Sequence, residues 1–212
     1  MQAYYARRAA EYEKIYDKPE RQADLARLRE DLPAYFKGAR VLEIACGTGY
    51  WTPLIAARAE SVLAIDAVED VLAVARSKSY RASNVRFEQA DAYALPAWPE
   101  KFSACFAGFW WSHVPLGRIE GFLRNLAARL ETGARVVLLD NRYVEGSSTP
   151  ISRRDADGSY QLRRLADGSG HEVLKNFPTA EEMQTRLGRH GTEVRFVPYE
   201  YYWVATYRIM AA

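Results

Sequence analysis

The stretch Glu43-Ile44-Ala45-Cys46-Gly47-Thr48-Gly49 combines an acid with a glycine-rich turn. Glycines at such a turn let the backbone bend sharply and come close to a ligand. A nicotinamide-cofactor fingerprint would carry a third glycine where this chain has Thr52, and Glu43 sets a negative charge just ahead of the loop. That charge opposes a pyrophosphate and suits a cationic ligand or one presenting an ammonium group. Asp66 closes the next apolar run, a position from which a carboxylate accepts both hydroxyls of a ribose. Asp91 ends the run after that, within reach of an adenine amino group. Each acid alone could be a loop anchor, a helix cap or a turn former. Three of them at successive strand ends, around one glycine loop, point to a shared ligand.

Further along comes Phe109-Trp110-Trp111-Ser112-His113-Val114-Pro115, directly after a fourth apolar run. His113 is the candidate general base, with an ordinary imidazole pKa near 6.5; its alternative role is a hydrogen bond into the start of the next helix. One of the two tryptophans can wall a ligand while the other packs in the core. Arg142 and Tyr143 follow a fifth run, and Arg142 is the candidate contact to an anionic substrate because guanidinium matches carboxylate bidentately. The pairs Arg153-Arg154 and Arg163-Arg164 read as solvated edge charges unless one turns inward. Tyr5, Tyr12 and Tyr16 share roughly one face of the first helical segment, either packing on the domain or forming a lid. His190 stands beside a helix-ending glycine, where a structural role is favoured, and His171 lies in a hairpin.

The elements that must position these residues alternate. Residues 1–36 are helical in pattern, with Leu25, Leu28 and Leu32 at helical spacing and Pro19 dividing the segment. Short apolar runs at 40–45, 61–65, 85–89, 102–109 and 134–140 read as strands, separated by helical stretches near 51–59, 68–79 and 117–130, the last closed by Gly133. This rhythm implies βαβ units and a parallel sheet covered on both faces. Between 141 and 177 the rhythm breaks: Asp157-Gly158 and Asp167-Gly168 bracket a strand that pairs with 171–177 as a hairpin. Pro178-Thr179-Ala180-Glu181-Glu182 opens a last helix, and the runs 193–198 and 201–209 form a terminal hairpin.

Composition narrows the function. With 212 residues and 49% hydrophobic content the chain is long enough for one well-packed domain, not a disordered or fibrous protein. Its 29 Lys+Arg against 27 Asp+Glu leave a net charge of +2, without the basic excess of a nucleic-acid surface. Two cysteines, Cys46 and Cys105, are too few for a disulfide framework or a metal cluster and suit a reduced, cytoplasmic setting. No secretory pattern opens the chain, and its longest apolar stretch falls far short of the roughly 20 residues that span a membrane.

The sequence resembles the class I S-adenosylmethionine-dependent methyltransferases, specifically their small-molecule branch. Glu43-x-Ala45-x-Gly47-x-Gly49 matches their first motif, with Ala45 where glycine is commoner; Asp66 matches the ribose-binding acid, Asp91-Ala92 the adenine contact, and Gly133 the glycine before the fifth strand. Ser103 departs from an Asp that the family often has there, with strand anchoring rather than chemistry at stake. The resemblance covers about residues 40–140 and the terminal hairpin. It implies an α/β fold: a doubly wound, Rossmann-like sheet of seven strands, mostly parallel with an antiparallel terminal hairpin strand, plus an N-terminal helical lid. A single domain is expected over 1–212, made of a lid (1–38), a cofactor core (39–140), a hairpin insertion near the substrate pocket (141–177) and a terminal segment (178–212). The implied cofactor-binding residues are Tyr5, Tyr16, Glu43, Ala45, Gly47, Gly49, Asp66, Ala67, Asp91, Ala92 and Ala107, without a metal. The expected reaction moves a methyl group to an oxygen or nitrogen of a small molecule, by a monomer or homodimer that needs neither nucleic acid nor membrane. An RNA or protein methyltransferase and a non-catalytic cofactor-binding protein are the alternatives.

Overall fold

The computed structural model describes Glu13 and residues 15–80, 83–164 and 168–211. Tyr4, Tyr5 and Tyr12 of the expected lid fall outside these residues. Seven strands form the main sheet: β1 Arg40–Ile44, β2 Ser61–Asp66, β3 Val85–Gln89, β4 Phe102–Gly108, β5 Leu130–Asn141, β9 Gly191–Pro198 and β10 Tyr202–Ile209. Their spatial order is β3-β2-β1-β4-β5-β10-β9. The pairs among β1 to β5 are parallel, while β10 runs antiparallel to both β5 and β9. From β1 the chain first builds outward to β2 and β3, then crosses back to add β4 on the other side. A crevice opens at the strand carboxyl ends where that direction reverses, as in other open α/β sheets.

Both faces of the sheet are covered, which explains the unbroken apolar strands. Side chains alternate along β1, so Val41 packs on one face and Leu42 and Ile44 on the other. On the first face lie Leu25, Leu28 and Leu32 of helix α1 (Gln22–Asp31) and its extension, together with Ile55 of α2 (Thr52–Ala56). Leu72 of α3 (Glu69–Ser77) is also buried. On the second face lie Phe122, Leu123 and Leu126 of α4 (Ile119–Ala127) and Met183 and Leu187 of α5 (Ala180–Leu187). Thr179 begins α5 with a capping box: its hydroxyl accepts the Glu182 N–H, and its own N–H donates to the Glu182 carboxylate at 2.7 Å. The Ser103 hydroxyl accepts the Arg40 N–H at 3.0 Å, so a neutral group holds the start of β1.

Two expectations are corrected here. Gly133 does not close a helix: α4 ends at Ala127, and Gly133 lies inside β5 with φ +79°, next to the irregularity where β4 and β5 shift register. The segment after β5 is also not a two-stranded hairpin. It is a three-stranded antiparallel sheet, β6 Ile151–Asp155, β7 Gly158–Arg164 and β8 Gly170–Leu174, in that order. The alternation in 151–155 is masked because four of its five residues are exposed on a sheet edge. Asn176 ties this second sheet to the first: its amide donates to the Val114 carbonyl and its Oδ1 accepts the Ser159 N–H at 2.9 Å.

Candidate active site

The glycine loop leaves β1 with backbone strain in it. Ala45 has φ +52°, in the left-handed region that favours glycine, followed by Gly47 at +56° and Gly49 at +73°. This is the cost of alanine standing where glycine is commoner. Glu43 lies under the loop, 1% exposed, and its Oε2 has no hydrogen-bond partner. Burial pushes its carboxyl up to about 8, with the nearby Thr52 hydroxyl pulling the other way. A buried acceptor without a donor is costly unless a ligand supplies one; an ammonium group is such a donor.

Asp66 braces the loop from the end of β2, accepting the Gly47 N–H at 3.0 Å and the Val68 N–H at 2.9 Å. Burial raises its carboxyl above the usual range, offset in part by these two donors. At the end of β3, Asp91 is exposed and its Oδ1 accepts the Tyr93 N–H, while Ala92 is buried. Ala67 directs its carbonyl to the Gln89 amide at 3.0 Å. Ala107 is 1% exposed and packs in the core beside Ile44 and Leu138, so its side chain does not reach the crevice. The next two residues do: Gly108 and Phe109 line cavities there, and Phe109 holds φ +57°, a strained conformation for a bulky residue. Over the loop, Tyr16 stacks on Tyr50 with ring centroids 3.8 Å apart, and its phenol accepts the Trp51 indole N–H. The Thr48 hydroxyl donates to Glu13 at 2.7 Å, and Lys78 pairs with the same carboxylate. Glu13 and Tyr16 therefore lie across the loop.

Tyr16 and Phe109 also belong to a larger cavity of about 230 Å³, walled on the far side by the second sheet. At its base is a buried polar network. Asp140, fully buried at the end of β5, accepts the Ser112 N–H, the Asn141 N–H and the Lys175 ammonium, the last at 3.1 Å. Lys175 also donates to the Ser112 hydroxyl at 2.6 Å. Burial raises the Asp140 carboxyl, but the Lys175 charge and the two backbone donors together hold it below its ordinary value. Burial lowers the Lys175 ammonium, and Asp140 restores part of that loss. The sequence barely marks this pair. An isolated lysine in the run Val173-Leu174-Lys175 was its only trace, and its partner lies 35 residues away.

His113 lines the same cavity with its Nδ1 donating to the Leu174 carbonyl at 2.7 Å, which leaves Nε2 as the acceptor nitrogen. Burial first, then the positive charge of Lys175, push its pKa down to about 3. It is a neutral ring and a feeble base, far from the match to operating pH that general-base catalysis needs. Arg142 is the second correction. Its guanidinium turns away from the cavity and donates to the Tyr199 carbonyl. The adjacent Asn141 points inward, because side chains alternate along β5, and its Oδ1 accepts from Arg21 at 3.1 Å. Among the described residues, the cations at the cavity are instead Lys18, Arg21, Arg163 and Lys175. Trp111 is 2% exposed in the core, and the half-buried Trp110 packs on Tyr93 and Phe122. His190 bonds Glu120 of α4 at 2.7 Å, a structural link. Among the described residues no cluster of His, Cys, Asp or Glu could hold a metal, and no helix is long and apolar enough to cross a membrane.

Comparison with known proteins agrees with the site's geometry. A family described as a methyltransferase domain matches residues 41–133, the segment holding the glycine loop and all three acids. The fold of the DhpI–SAH complex superposes on the whole of this chain and 96% of that one, with TM-score 0.78 and 28% identity. The chain is similar to S-adenosylmethionine-dependent methyltransferases in sequence over residues 41–133 and in fold throughout. A DhpI–SAM–HEP complex is similarly related, with TM-score 0.80 and 27% identity over 97% of this chain and 94% of that one. Among curated proteins, a 2-phytyl-1,4-naphtoquinone methyltransferase of Thermosynechococcus vestitus is 31% identical over 115 residues, 53% of this chain and 50% of that protein. A demethylmenaquinone methyltransferase of Staphylococcus aureus is 32% identical over 107 residues, 49% and 44% of the two chains. The matched region spans half or less of these curated relatives. Within this methyltransferase fold, the orphaned Oε2 of Glu43 fits a ligand's ammonium group.

Proposed function

We propose that this protein transfers a methyl group from S-adenosylmethionine to a small molecule seated in the cavity beneath the second sheet. The observation that carries the reading is the continuity of two sites through Tyr16: it lines both the small pocket under the glycine loop, beside Glu43, and the 230 Å³ cavity. When bound, S-adenosylmethionine supplies an electrophilic methyl on a sulfonium, open to in-line displacement. Glu43 would meet its ammonium, Asp66 its ribose hydroxyls, and Asp91 with Ala92 its adenine. The chain's own contribution to rate is alignment and exclusion of water, for which Tyr16, Tyr50, Trp51 and Phe109 form an aromatic wall. His113 orients the acceptor through Nε2, and Arg142 has no part in binding it. We place the reaction in the cytoplasm, on the two free thiols Cys46 and Cys105.

The curated relatives' names favour a naphthoquinone acceptor. Against carrying that over, the cations described at the cavity, Lys18, Arg21, Arg163 and Lys175, all lie outside the matched segment 41–133. Calorimetry should give micromolar binding of S-adenosylmethionine and S-adenosylhomocysteine, and Asp66→Ala should weaken it by about 1.5–3 kcal/mol, the worth of charge-assisted hydrogen bonds. Absence of binding by both compounds would refute the reading. Binding without turnover on any acceptor of a broad small-molecule panel would leave a cofactor-binding protein instead.

A further inference from the structure

We infer that Gln22 is a positioning residue: it locks residues 16–21 into one stiff lever, through which a filled cofactor pocket holds the acceptor wall at Ser147. The inference rests on the methyltransferase reading above and names how its two sites are coupled.

One end of the lever is at the cofactor. Tyr16 lines the pocket that holds Glu43, its ring stacks on Tyr50 at 3.8 Å, and its phenol accepts the Trp51 indole N–H at 3.2 Å. The other end is at the acceptor. Lys18 donates to the Ser147 carbonyl at 2.6 Å, the Ser147 hydroxyl donates to Glu20 at 2.8 Å, and the Arg21 guanidinium donates to that hydroxyl at 2.9 Å. Another arm of Arg21 donates to the Asn141 Oδ1 at 3.1 Å, so the lever, the end of β5 and the turn 144–148 meet there. Lys18, Arg21, Asn141 and Ser147 all line the acceptor cavity.

Between its two ends the backbone is fixed. Gln22 spends both amide hydrogens on it, donating to the Tyr16 carbonyl at 2.7 Å and to the Lys18 carbonyl at 2.9 Å. Pro19 opens the short 3-10 turn Pro19–Arg21 with φ set by its ring, and the Arg21 N–H closes on the Lys18 carbonyl at 3.1 Å. Gln22 itself begins α1, whose Leu25 and Leu28 are buried against the sheet. A displacement of Tyr16 therefore carries Lys18 and Arg21 with it.

The receiving side is also tied together. The Ser147 and Ser148 N–H groups both donate to the Val144 carbonyl, and the Ser148 hydroxyl accepts the Val144 N–H at 2.9 Å, so 144–148 moves as a unit. The next residue, Thr149, gives its carbonyl to the Gln161 amide of β7 in the second sheet. A cofactor that touches Tyr16 favours the seated lever, and the seated lever holds this wall. Cofactor and acceptor then each tighten the other, by the same factor in both directions.

The test reads hydrogen exchange of the Ser147 and Ser148 amides in the full chain by NMR, with and without saturating S-adenosylhomocysteine. In the native protein the ligand should slow both amides about tenfold, although neither serine lines the pocket under the glycine loop. In Gln22→Ala, a change at an exposed position, calorimetry should give an S-adenosylhomocysteine affinity within about threefold of native, while the slowing is lost. Gln22→Lys, which keeps a donor of similar reach, should restore the slowing, and Ser147→Ala should abolish it at Ser148. A glutamine that served stability alone would speed exchange equally with and without ligand, and an undiminished ratio in Gln22→Ala would refute the inference. So would the absence of any slowing in the native protein once calorimetry shows the ligand bound. Failure of S-adenosylhomocysteine to bind would instead overturn the methyltransferase reading, and the inference with it.

Discussion

Removing the ammonium of Lys175 should destabilise the protein far more than removing it together with its partner. Asp140 is 0% exposed and the Lys175 side chain 6%, and they meet at 3.1 Å. In Lys175→Met the Asp140 carboxylate keeps its Ser112 and Asn141 N–H donors but loses its only countercharge among the described residues. Breaking a buried pair on one side costs about 3–5 kcal/mol. At roughly 2–4 °C per kcal/mol for a chain of this size, the melting temperature should fall by about 6–20 °C. Asp140→Asn should cost less, because burial has already lowered the Lys175 pKa and the amine can shed its proton. In the double variant no buried charge remains, and the loss should shrink to about 2 kcal/mol or less. The assay is urea unfolding of all four proteins at pH 7, read as a double-mutant cycle. Additive effects, with a coupling below about 0.5 kcal/mol, would refute the claim that this pair is held by charge at the cavity base.

Other outcomes follow from the same geometry. Glu43, with its pKa raised to about 8, is mostly protonated at pH 7, and an ammonium beside it favours the carboxylate. Binding of S-adenosylhomocysteine should therefore release close to one proton at pH 7 and almost none above pH 9, as read from calorimetry in buffers of different ionisation heat. Persistence of the release in Glu43→Gln would assign it elsewhere. Gly158→Ala sets a Cβ 1.9 Å from the Asn176 Oδ1 at a backbone φ of +131°. It should cost about 2–4 kcal/mol and loosen 151–176 selectively in hydrogen exchange, whereas uniform loosening would contradict the tethering role of Asn176. The His113 ring, depressed to about 3, should show no titration by NMR between pH 5 and 8; a midpoint near 6.5 would restore it as a general base. Arg142→Ala should leave acceptor affinity within about twofold, because its guanidinium is spent on the Tyr199 carbonyl; a tenfold loss would place it back in the cavity.

The cofactor end was legible in the sequence because it is local. Glu43, the glycine loop, Asp66 and Asp91 each close a short apolar run, and in a parallel sheet consecutive runs deliver their ends to one edge. That rule alone brings the Asp66 carboxylate to the Gly47 N–H across 19 residues of chain. Strain at Ala45 and Phe109 was not legible, since a positive φ at a residue other than glycine leaves no mark on composition. The acceptor end depended on tertiary structure throughout. Which of Asn141 and Arg142 faces the cavity turns on the parity of β5, and one residue of register reverses it. Lys18 with Arg21, Arg163 and Lys175 come from three places in the chain, and each alone looks like an ordinary surface charge. Only the packing of the second sheet, fixed by Asn176 and by the Lys175–Asp140 pair, brings them around one space. The sequence by itself determined a methyltransferase core, because periodicity and strand ends are properties of neighbouring residues. The charge of the acceptor site is a sum over distant ones, and it exists only once the chain has folded.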